Sequence, residues 1–374
     1  MEQLVDMCKR GDLFAVQGWA ADGKSLSPPP GRYRNTPFRT ALKTGFLSLI
    51  EVFLQAGVDD DERLRGLRAA VYSRREDIFE LFIKYGADPR DVSLNEVLES
   101  RHKPLIQRYV QIGVDWEDGD QIAHALERGQ REFLGIYMDL RDTVPSARKQ
   151  AAMALRKHCD KGRMRWVALL LWAGADPRLP VPDLSYPGDE DFLGTALEDA
   201  VSSGHVEVVK KIGIDPSKDN ATELLGHCWL ANNPEIVRML LDAGADPNGK
   251  TKMGIPMDRL LSGLAWALDS SFSTGFRLEP TLQCIELAAS RGGRWTPQMM
   301  GKHCRVRRAL GKISPYQAVD IIGRLLDCGA LEDDGMKKLM SAPKMKALLA
   351  SDTMGIKRLR KAVNFQTGKT KLAK

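Results

Sequence analysis

Three His-Cys dipeptides, His158-Cys159, His227-Cys228 and His303-Cys304, are the residues of this 374-residue chain best suited to metal or redox chemistry. An imidazole beside a thiol supplies two soft ligands, half of what a tetrahedral zinc site needs. The other half is missing. The six cysteines, Cys8, Cys159, Cys228, Cys284, Cys304 and Cys328, lie tens of residues apart with no CxxC pair. That pattern reads as reduced, separately buried thiols rather than a metal cluster or a disulfide scaffold. The serine-nucleophile elbow GxSxG, the phosphate loop GxxxxGK[ST] and the zinc motif HExxH are all absent. Gly368-Lys369-Thr370 lacks the upstream glycine that a phosphate loop requires. The acid runs Asp59-Asp60-Asp61, Asp189-Glu190-Asp191 and Glu332-Asp333-Asp334 read as solvated caps at helix starts, where carboxylates complement the exposed N–H groups. No catalytic residue, metal site, cofactor or small-molecule substrate is expected.

If the chain does no chemistry, its charge distribution is the next guide to what it does. The net charge of +6 is produced at one end. Residues 351–374 hold seven Lys/Arg against the single acid Asp352, and residues 287–319 hold seven with no acid, leaving about −7 over residues 1–286. The chain is therefore polarised, acidic over most of its length and basic near its C-terminus. Its longest apolar runs fall far short of the ~18 residues of a membrane span. The opening residues MEQLVDMCKRGDLF carry acids and no uninterrupted apolar core, so no signal peptide is expected and the expected compartment is the cytoplasm.

The elements that position these charges come from a repeat. Gly-Ala-Asp-Pro occurs at 86–89, 174–177 and 244–247, with weaker relatives beginning at Gly57, Gly113, Gly213 and Gly329. Each follows an amphipathic stretch such as EIVRMLLDA, as a glycine does when it ends a helix ahead of an Asp-initiated turn. An earlier break lies thirteen residues, counted inclusively, before Gly57, Gly174 and Gly244, at Gly45, Gly162 and Asn232. Ahead of the breaks, an apolar and a small residue recur at fixed offsets: Leu67 and Ala70, Ile122 and Ala125, Leu197 and Ala200. The small residue lets the first helix approach its neighbour, and the apolar residues of the second fill the shared core. His158 and Cys228 share one position of this register, whereas His303-Cys304 falls out of it, so the dipeptides do not stack as equivalents.

This pattern resembles the ankyrin repeat. Thr195-Ala196-Leu197, Ala200, Gly204, His205, Glu207, Val208 and Val209 carry the resemblance best, with Thr36-Pro37-Phe38, Ala41 and Gly45, and with Glu235-Ile236-Val237 through Asp246. It implies an all-α solenoid of stacked antiparallel helix pairs with a few short β-turn fingers. Breaks near Gly11, Gly45, Arg74, Arg101, Gly129, Gly162, Gly204 and Asn232, and further ones near Pro280, Gln317 and Ala342, give about eleven pairs over residues 1–350, followed by a basic tail at 351–374. Spacings of 27–29 residues leading up to Arg74, Arg101 and Gly129 leave too little chain for a finger, so those repeats should be compact helix pairs. The surplus gathers at 22–35, 178–193, 248–256 and 270–279, and loops on a rigid scaffold are where specificity is usually placed.

The resemblance further implies a protein partner held on the face formed by the first helices and the turns that precede them. Carried over position by position, the two residues before each break should face it, together with turn residues ahead of Thr36 and Thr195. The resulting candidates are Arg32, Tyr33, Asn35, Lys43, Tyr72, Glu99, Glu127, Arg128, Asp160, Lys161 and Phe192, with Ser100 among their neighbours. Aromatic and Arg side chains are the better anchors among them. A second candidate surface, for an anion, is Lys302, Arg305, Arg307, Arg308 and Lys312, beside an apolar stripe of Met299, His303, Val306 and Leu310. The alternative function is therefore association with nucleic acid through the C-terminal basic region, though nothing there resembles a base-reading motif.

Overall fold

Breaks every dozen or so residues dictate short amphipathic helices, and the computed structural model of the chain is built from them. It describes residues 1–28, 36–113, 116, 118–185, 193–268, 277–295, 305–310 and 312–331. Among these residues there are twenty α-helices and no strand, and no helix is long and apolar enough to cross a membrane. The chain divides into two compact units, Met1–Ala151 and Ala152–Lys374.

The first unit consists of helix pairs: α1 (Glu2–Arg10) with α2 (Leu13–Ala21), α3 (Pro37–Thr44) with α4 (Leu47–Gln55), and α5 (Asp60–Tyr72) with α6 (Glu76–Lys84). The pairs α7 (Leu94–Glu99) with α8 (Lys103–Ile112) and α9 (Gln121–Glu127) with α10 (Arg131–Leu140) follow. First helices pack in order on first helices, α1 on α3, α3 on α5, α5 on α7 and α7 on α9. Helix α11 (Ala147–Asp160) crosses the division and leads into α12 (Met164–Trp172). The second unit continues with α13 (Ala196–Ser202) and α14 (Val206–Ile212), then α15 (Ala221–His227) and α16 (Pro234–Asp242). It ends, among the described residues, with α17 (Pro256–Leu268) and α18 (Leu278–Ser290), and α19 (Arg305–Leu310) and α20 (Pro315–Asp327). The expected break near Ala342 lies outside the described residues.

Local sequence explains where the helices start. Thr36 caps α3 by accepting the Arg39 N–H at 3.1 Å, and Pro37, which has no N–H to leave unpaired, takes the first helical position. Thr195 and Glu198 close a capping box on α13, and Ser93 and Glu96 close another on α7. Asp59 caps α5 through the Glu62 N–H at 2.7 Å, the role expected of that acid run.

The eight breaks read from the sequence through Asn232 all fall between paired helices, and all adopt positive φ. Five are glycines (Gly11, Gly45, Gly129, Gly162 and Gly204), for which that region is free of a Cβ clash. The other three are Arg74 at 59°, Arg101 at 52° and Asn232 at 45°. Past Asn232 the reading slips: Pro280 and Gln317 lie in the first turns of α18 and α20, not between helices. Proline is tolerated in a first turn, so Pro280 marks a helix beginning rather than a break.

The core follows the expected offsets. Leu67, Ala70, Ile122, Ala125, Leu197 and Ala200 are buried, as are the larger second-helix residues Phe53, Phe79, Phe82 and Tyr109. In the first unit these rings pack within and across repeats, Phe38 on Phe53 of its own pair at 5.8 Å and on Phe82 of the next at 6.2 Å, and Phe79 on Tyr109 of the following repeat at 5.7 Å. Each such burial contributes about 1.5–3 kcal/mol before side-chain entropy is counted. Where chain length is short, single 3-10 turns (Pro89–Asp91 and Asp118–Asp120) stand in place of a finger. Fingers occur in the longer repeats, marked by isolated bridges between Val181 and Gly194 and between Thr251 and Gly254. In the second unit Arg178 steadies one insertion by donating to both carboxylate oxygens of Asp219 (2.6 and 2.8 Å) and to the Gly213 carbonyl (2.8 Å).

Candidate functional site

The first helices of the first unit carry a continuous row of charged side chains that pair from repeat to repeat. Arg39 of α3 donates to Glu62 of α5 at 2.8 and 3.4 Å. Arg65, one turn on from Glu62, lies 3.6 Å from the same carboxylate. Arg68 forms an ion pair with Glu96 of α7 at 3.4 Å, and the Tyr72 hydroxyl donates to Glu96 at 3.1 Å. Arg128, at the end of α9, reaches back to Asn95 at 3.0 Å and Glu99 at 3.2 Å. Residues 62, 65, 68 and 72 recur at helical spacing, which places them on one stripe of α5.

Single exposed pairs of this kind contribute little, but a row that crosses four helices fixes rotamers that would have to be ordered on any association. Tyr72 stands in the middle of it, 55% exposed. Partial burial, and then the Glu96 carboxylate, raise its phenol above the ordinary value, so it is a neutral donor at neutral pH. At the N-terminal end the row borders a cleft of about 790 Å³ lined by Leu26, Phe38, Arg39, Phe53, Glu62 and Arg65. Residues 29–35, which link Pro28 to Thr36 on its rim, lie outside the described residues.

Of the candidates for a partner face, Lys43, Tyr72, Glu99 and Arg128 are exposed at the ends of consecutive first helices of this unit, with Glu127 half-buried beside them. Arg32, Tyr33, Asn35 and Phe192 lie outside the described residues. In the second unit Asp160 and Lys161 are exposed at the end of α11, where the Asp160 carboxylate accepts from Ser203 at 2.9 Å. Ser100 departs from the expectation: it is 4% exposed and its hydroxyl turns back to the Val97 carbonyl at 2.6 Å. A short polar side chain at a helix end satisfies itself on the preceding turn more readily than it reaches outward. Arg39, Glu62, Arg65, Arg68 and Glu96 lie ahead of the last two residues of each first helix, the positions that the repeat register singles out. Extending the same stripe back by three and four residues from Tyr72 and Glu99 finds Arg68, Arg65 and Glu96.

Of the residues suited to chemistry, His158, Cys159 and Cys228 are packed away, while His227 is half-buried. His158 is fully buried and stacked on Trp166 at 5.4 Å, and burial pushes the Cys159 thiol up to about 12. Burial raises Cys8 to about 11 and Cys284 to about 12, and raises Cys228 well above its ordinary value. His303 and Cys304 lie outside the described residues. Among the described residues no three His, Cys, Asp or Glu side chains gather as a metal site.

At the proposed anion surface, Val306 and Leu310 are buried as the apolar stripe requires, and Arg305, Arg308 and Lys312 are exposed. The Arg305 guanidinium lies 5.6 Å from the Trp266 ring, an exposed cation–π contact. Lys302, the side chain of Arg307, Met299 and the tail at 351–374 are outside the described residues.

Residues 227–252 match the family model of the ankyrin repeat. Among solved structures the chain is similar to the ankyrin repeat domain of Bcl-3, a member of the IkappaB protein family, at 17% identity over 68% of this chain and 91% of that one, with a TM-score of 0.30. It is also similar to the human ASB11 ankyrin repeat domain, at 16% identity over 78% of this chain and 99% of that one, with a TM-score of 0.24. No curated protein matches it.

Proposed function

From the premise that this chain is built of ankyrin-type helix pairs, we propose that it is a non-catalytic interaction module (an adaptor, scaffold or inhibitor) that holds a protein partner on its first-helix face. Repeats of this kind generally mediate contacts between proteins. The observation that carries the reading is Tyr72, more than half exposed and hydrogen-bonded within a charged row that spans α3 to α9. A rigid aromatic with a polar tip buries much area at small entropic cost, and its neighbours are already ordered. Burial and raised thiols make Cys159 and Cys284 poor nucleophiles, since the thiol rather than the reactive thiolate dominates at neutral pH. In this reading residues 1–350 form the repeat array, the inserted loops add specificity, and 351–374 is a basic tail of a protein that works in the cytoplasm.

The test is affinity purification of the tagged full chain from its native cell, with and without nuclease, comparing the parent with Tyr72→Ala, Arg128→Ala and Trp172→Ala. Trp172 is 68% exposed at the end of a second helix and serves as the surface control. Tyr72→Ala should weaken a stoichiometric, nuclease-resistant partner by about tenfold, the scale of an interface anchor, while Trp172→Ala leaves it bound. Partners indifferent to Tyr72→Ala sink the proposal. Partners lost on nuclease treatment move attention to Arg305, Arg308 and Lys312.

A further inference from the structure

The inter-helix turns of the first unit carry an outlier that the first-helix face does not use. Five of the eight described breaks through Asn232 have glycine at the left-handed position, whereas Arg74 and Arg101, in consecutive repeats, hold it with an arginine. Glycine would make the same turn without a steric penalty. Asparagine, as at Asn232, enters this region readily; arginine has no such aptitude. Two neighbouring repeats thus keep a charged side chain where the backbone favours none, and backbone outliers of this sort gather at functional sites.

Both guanidinium groups are exposed and make no hydrogen bond or ion pair with a described residue, and the same holds for Lys103 and Arg131 in the following turns. Arg75 is held by Asp77 at 2.6 and 2.8 Å and donates to the Gly45 carbonyl at 3.1 Å, and Glu99 faces Arg128. The exposed Glu76 lies 3.7 Å from the His102 ring, which is a countercharge only when protonated. These contacts also show that the turns lie side by side, α3–α4 against α5–α6 and α5–α6 against α7–α8. Glu76 and Glu132 are the exposed countercharges beside the row. The edge therefore presents more cations than acids, with Arg74, then Arg101 and Lys103, then Arg131 in no ion pair with a described residue.

The geometry points to this edge as a docking line for an extended acidic protein segment that carries a carboxylate at about every third residue. Packed helix layers repeat at roughly 8–10 Å, and a chain in the polyproline II conformation advances about 3.1 Å per residue and returns every third side chain to the same side. Three residues of such a segment therefore span one repeat and bring its next carboxylate opposite the next arginine. This surface is separate from the Tyr72 face and stands or falls without it.

The probe is a labelled peptide of about four Glu-Ser-Gly triplets, titrated by fluorescence anisotropy into the full chain at low and moderate salt. An isomer with all its glutamates consecutive is the comparison. The spaced peptide should bind and weaken with salt. Arg74→Gly/Arg101→Gly should lower its affinity about three- to tenfold, the scale of two exposed charge pairs. Arg74→Lys/Arg101→Lys and Tyr72→Ala should leave it within about twofold of the parent. Because glycine suits both turns, the double glycine variant should unfold no earlier in urea than the parent, so lost binding would not reflect lost fold. Absence of saturable binding, or equal affinity in the glycine variant, overturns the inference. Equal affinity for the clustered peptide overturns the spacing. Tighter binding of a thymidine oligonucleotide to the same arginines overturns the choice of a protein segment.

Discussion

Gly66 offers the sharpest check on the packing that holds Tyr72 in place. It lies buried in the middle of α5, where a Cβ would sit 2.1 Å from the Phe82 ring of α6, with two further ring atoms at 2.6 and 3.0 Å. Ordinary contact begins near 3.4 Å, so Gly66→Ala leaves a shortfall of about 1.3 Å (3.4 less 2.1) at the nearest atom. The ring cannot simply turn aside, because Phe82 is fully buried and packs edge-on against Phe38. Overpacking of this kind costs about 1–3 kcal/mol, against which alanine recovers about 0.5–1 kcal/mol of helix propensity. The net expectation is a loss of about 1–2 kcal/mol, opposite in sign to a glycine-to-alanine change at an uncrowded helix position. Phe82→Leu alone should also destabilise, by leaving space beside Gly66. The double variant should recover at least about 1 kcal/mol relative to the sum of the two, since the added methyl fills that space. Urea unfolding followed by circular dichroism, with hydrogen exchange of the α5 amides to localise the effect, measures all four proteins. A more stable Gly66→Ala protein, or a strictly additive cycle, would refute the reasoning. A shift of α5 by about 1 Å would also carry the Tyr72 hydroxyl away from Glu96, from its present 3.1 Å, so partner binding should fall in Gly66→Ala even while the protein remains folded.

Other consequences are as direct. Arg74→Gly should stabilise the chain by about 0.5–1 kcal/mol, the left-handed penalty less the entropy of a glycine; a lower urea midpoint would contradict it. Gly45→Ala should do the reverse, by about 1 kcal/mol or more, because its Cβ would also fall 2.7 Å from Arg75 Nη1 and displace the bond from Arg75 to the Gly45 carbonyl. Asp219→Ala should cost about 3 kcal/mol, since the Asp219 carboxylate is nearly buried and removing it leaves Arg178 without its countercharge and the Asp215 N–H unpaired; hydrogen exchange around 213–219 reports the loss. Cys8, Cys159, Cys228 and Cys284 should resist iodoacetamide in the native protein and react on unfolding, as counted by intact mass. The unfolded thiols ionise from about pH 8.5, whereas burial holds Cys159 and Cys284 at about 12, so their contribution is full below pH 8.5 and is lost as pH rises toward 12.

Most of the scaffold was legible because each repeat writes its two helix ends in residues whose backbone demands are unusual. Gly11, Gly45, Gly129, Gly162 and Gly204 announce a left-handed turn, and Thr36 and Thr195 announce a cap. The register then told even Arg74, Arg101 and Asn232 apart from ordinary helix residues, although their types alone say nothing of the kind. The register fails beyond Asn232, where the spacing grows irregular and points to Pro280 and Gln317, which lie inside helices rather than between them. The face was legible only at its rim: Tyr72 and Arg128 follow from the offset before each break, whereas the Arg39–Glu62 and Arg68–Glu96 bridges depend on how far one repeat is rotated on the next. No spacing within a single repeat encodes that rotation.

The departures from the repeat pattern sort themselves by what they cost. An alanine or leucine out of register changes packing and is absorbed by neighbouring side chains, as the half-buried Trp229 is absorbed beneath the Arg259 guanidinium at 4.2 Å. A missing finger is absorbed by a single 3-10 turn, as at Pro89–Asp91. An arginine at positive φ is not absorbed, because the clash lies in its own backbone and no neighbour can relieve it. Gln130 illustrates the contrast: it follows a glycine break and sits 2% exposed, its polar side chain turned inward, where Arg101 in the preceding turn is held outward and unpaired. The two arginines occupy adjacent turns of one edge, the placement that the proposed acidic segment would need in order to meet both while crossing two repeats.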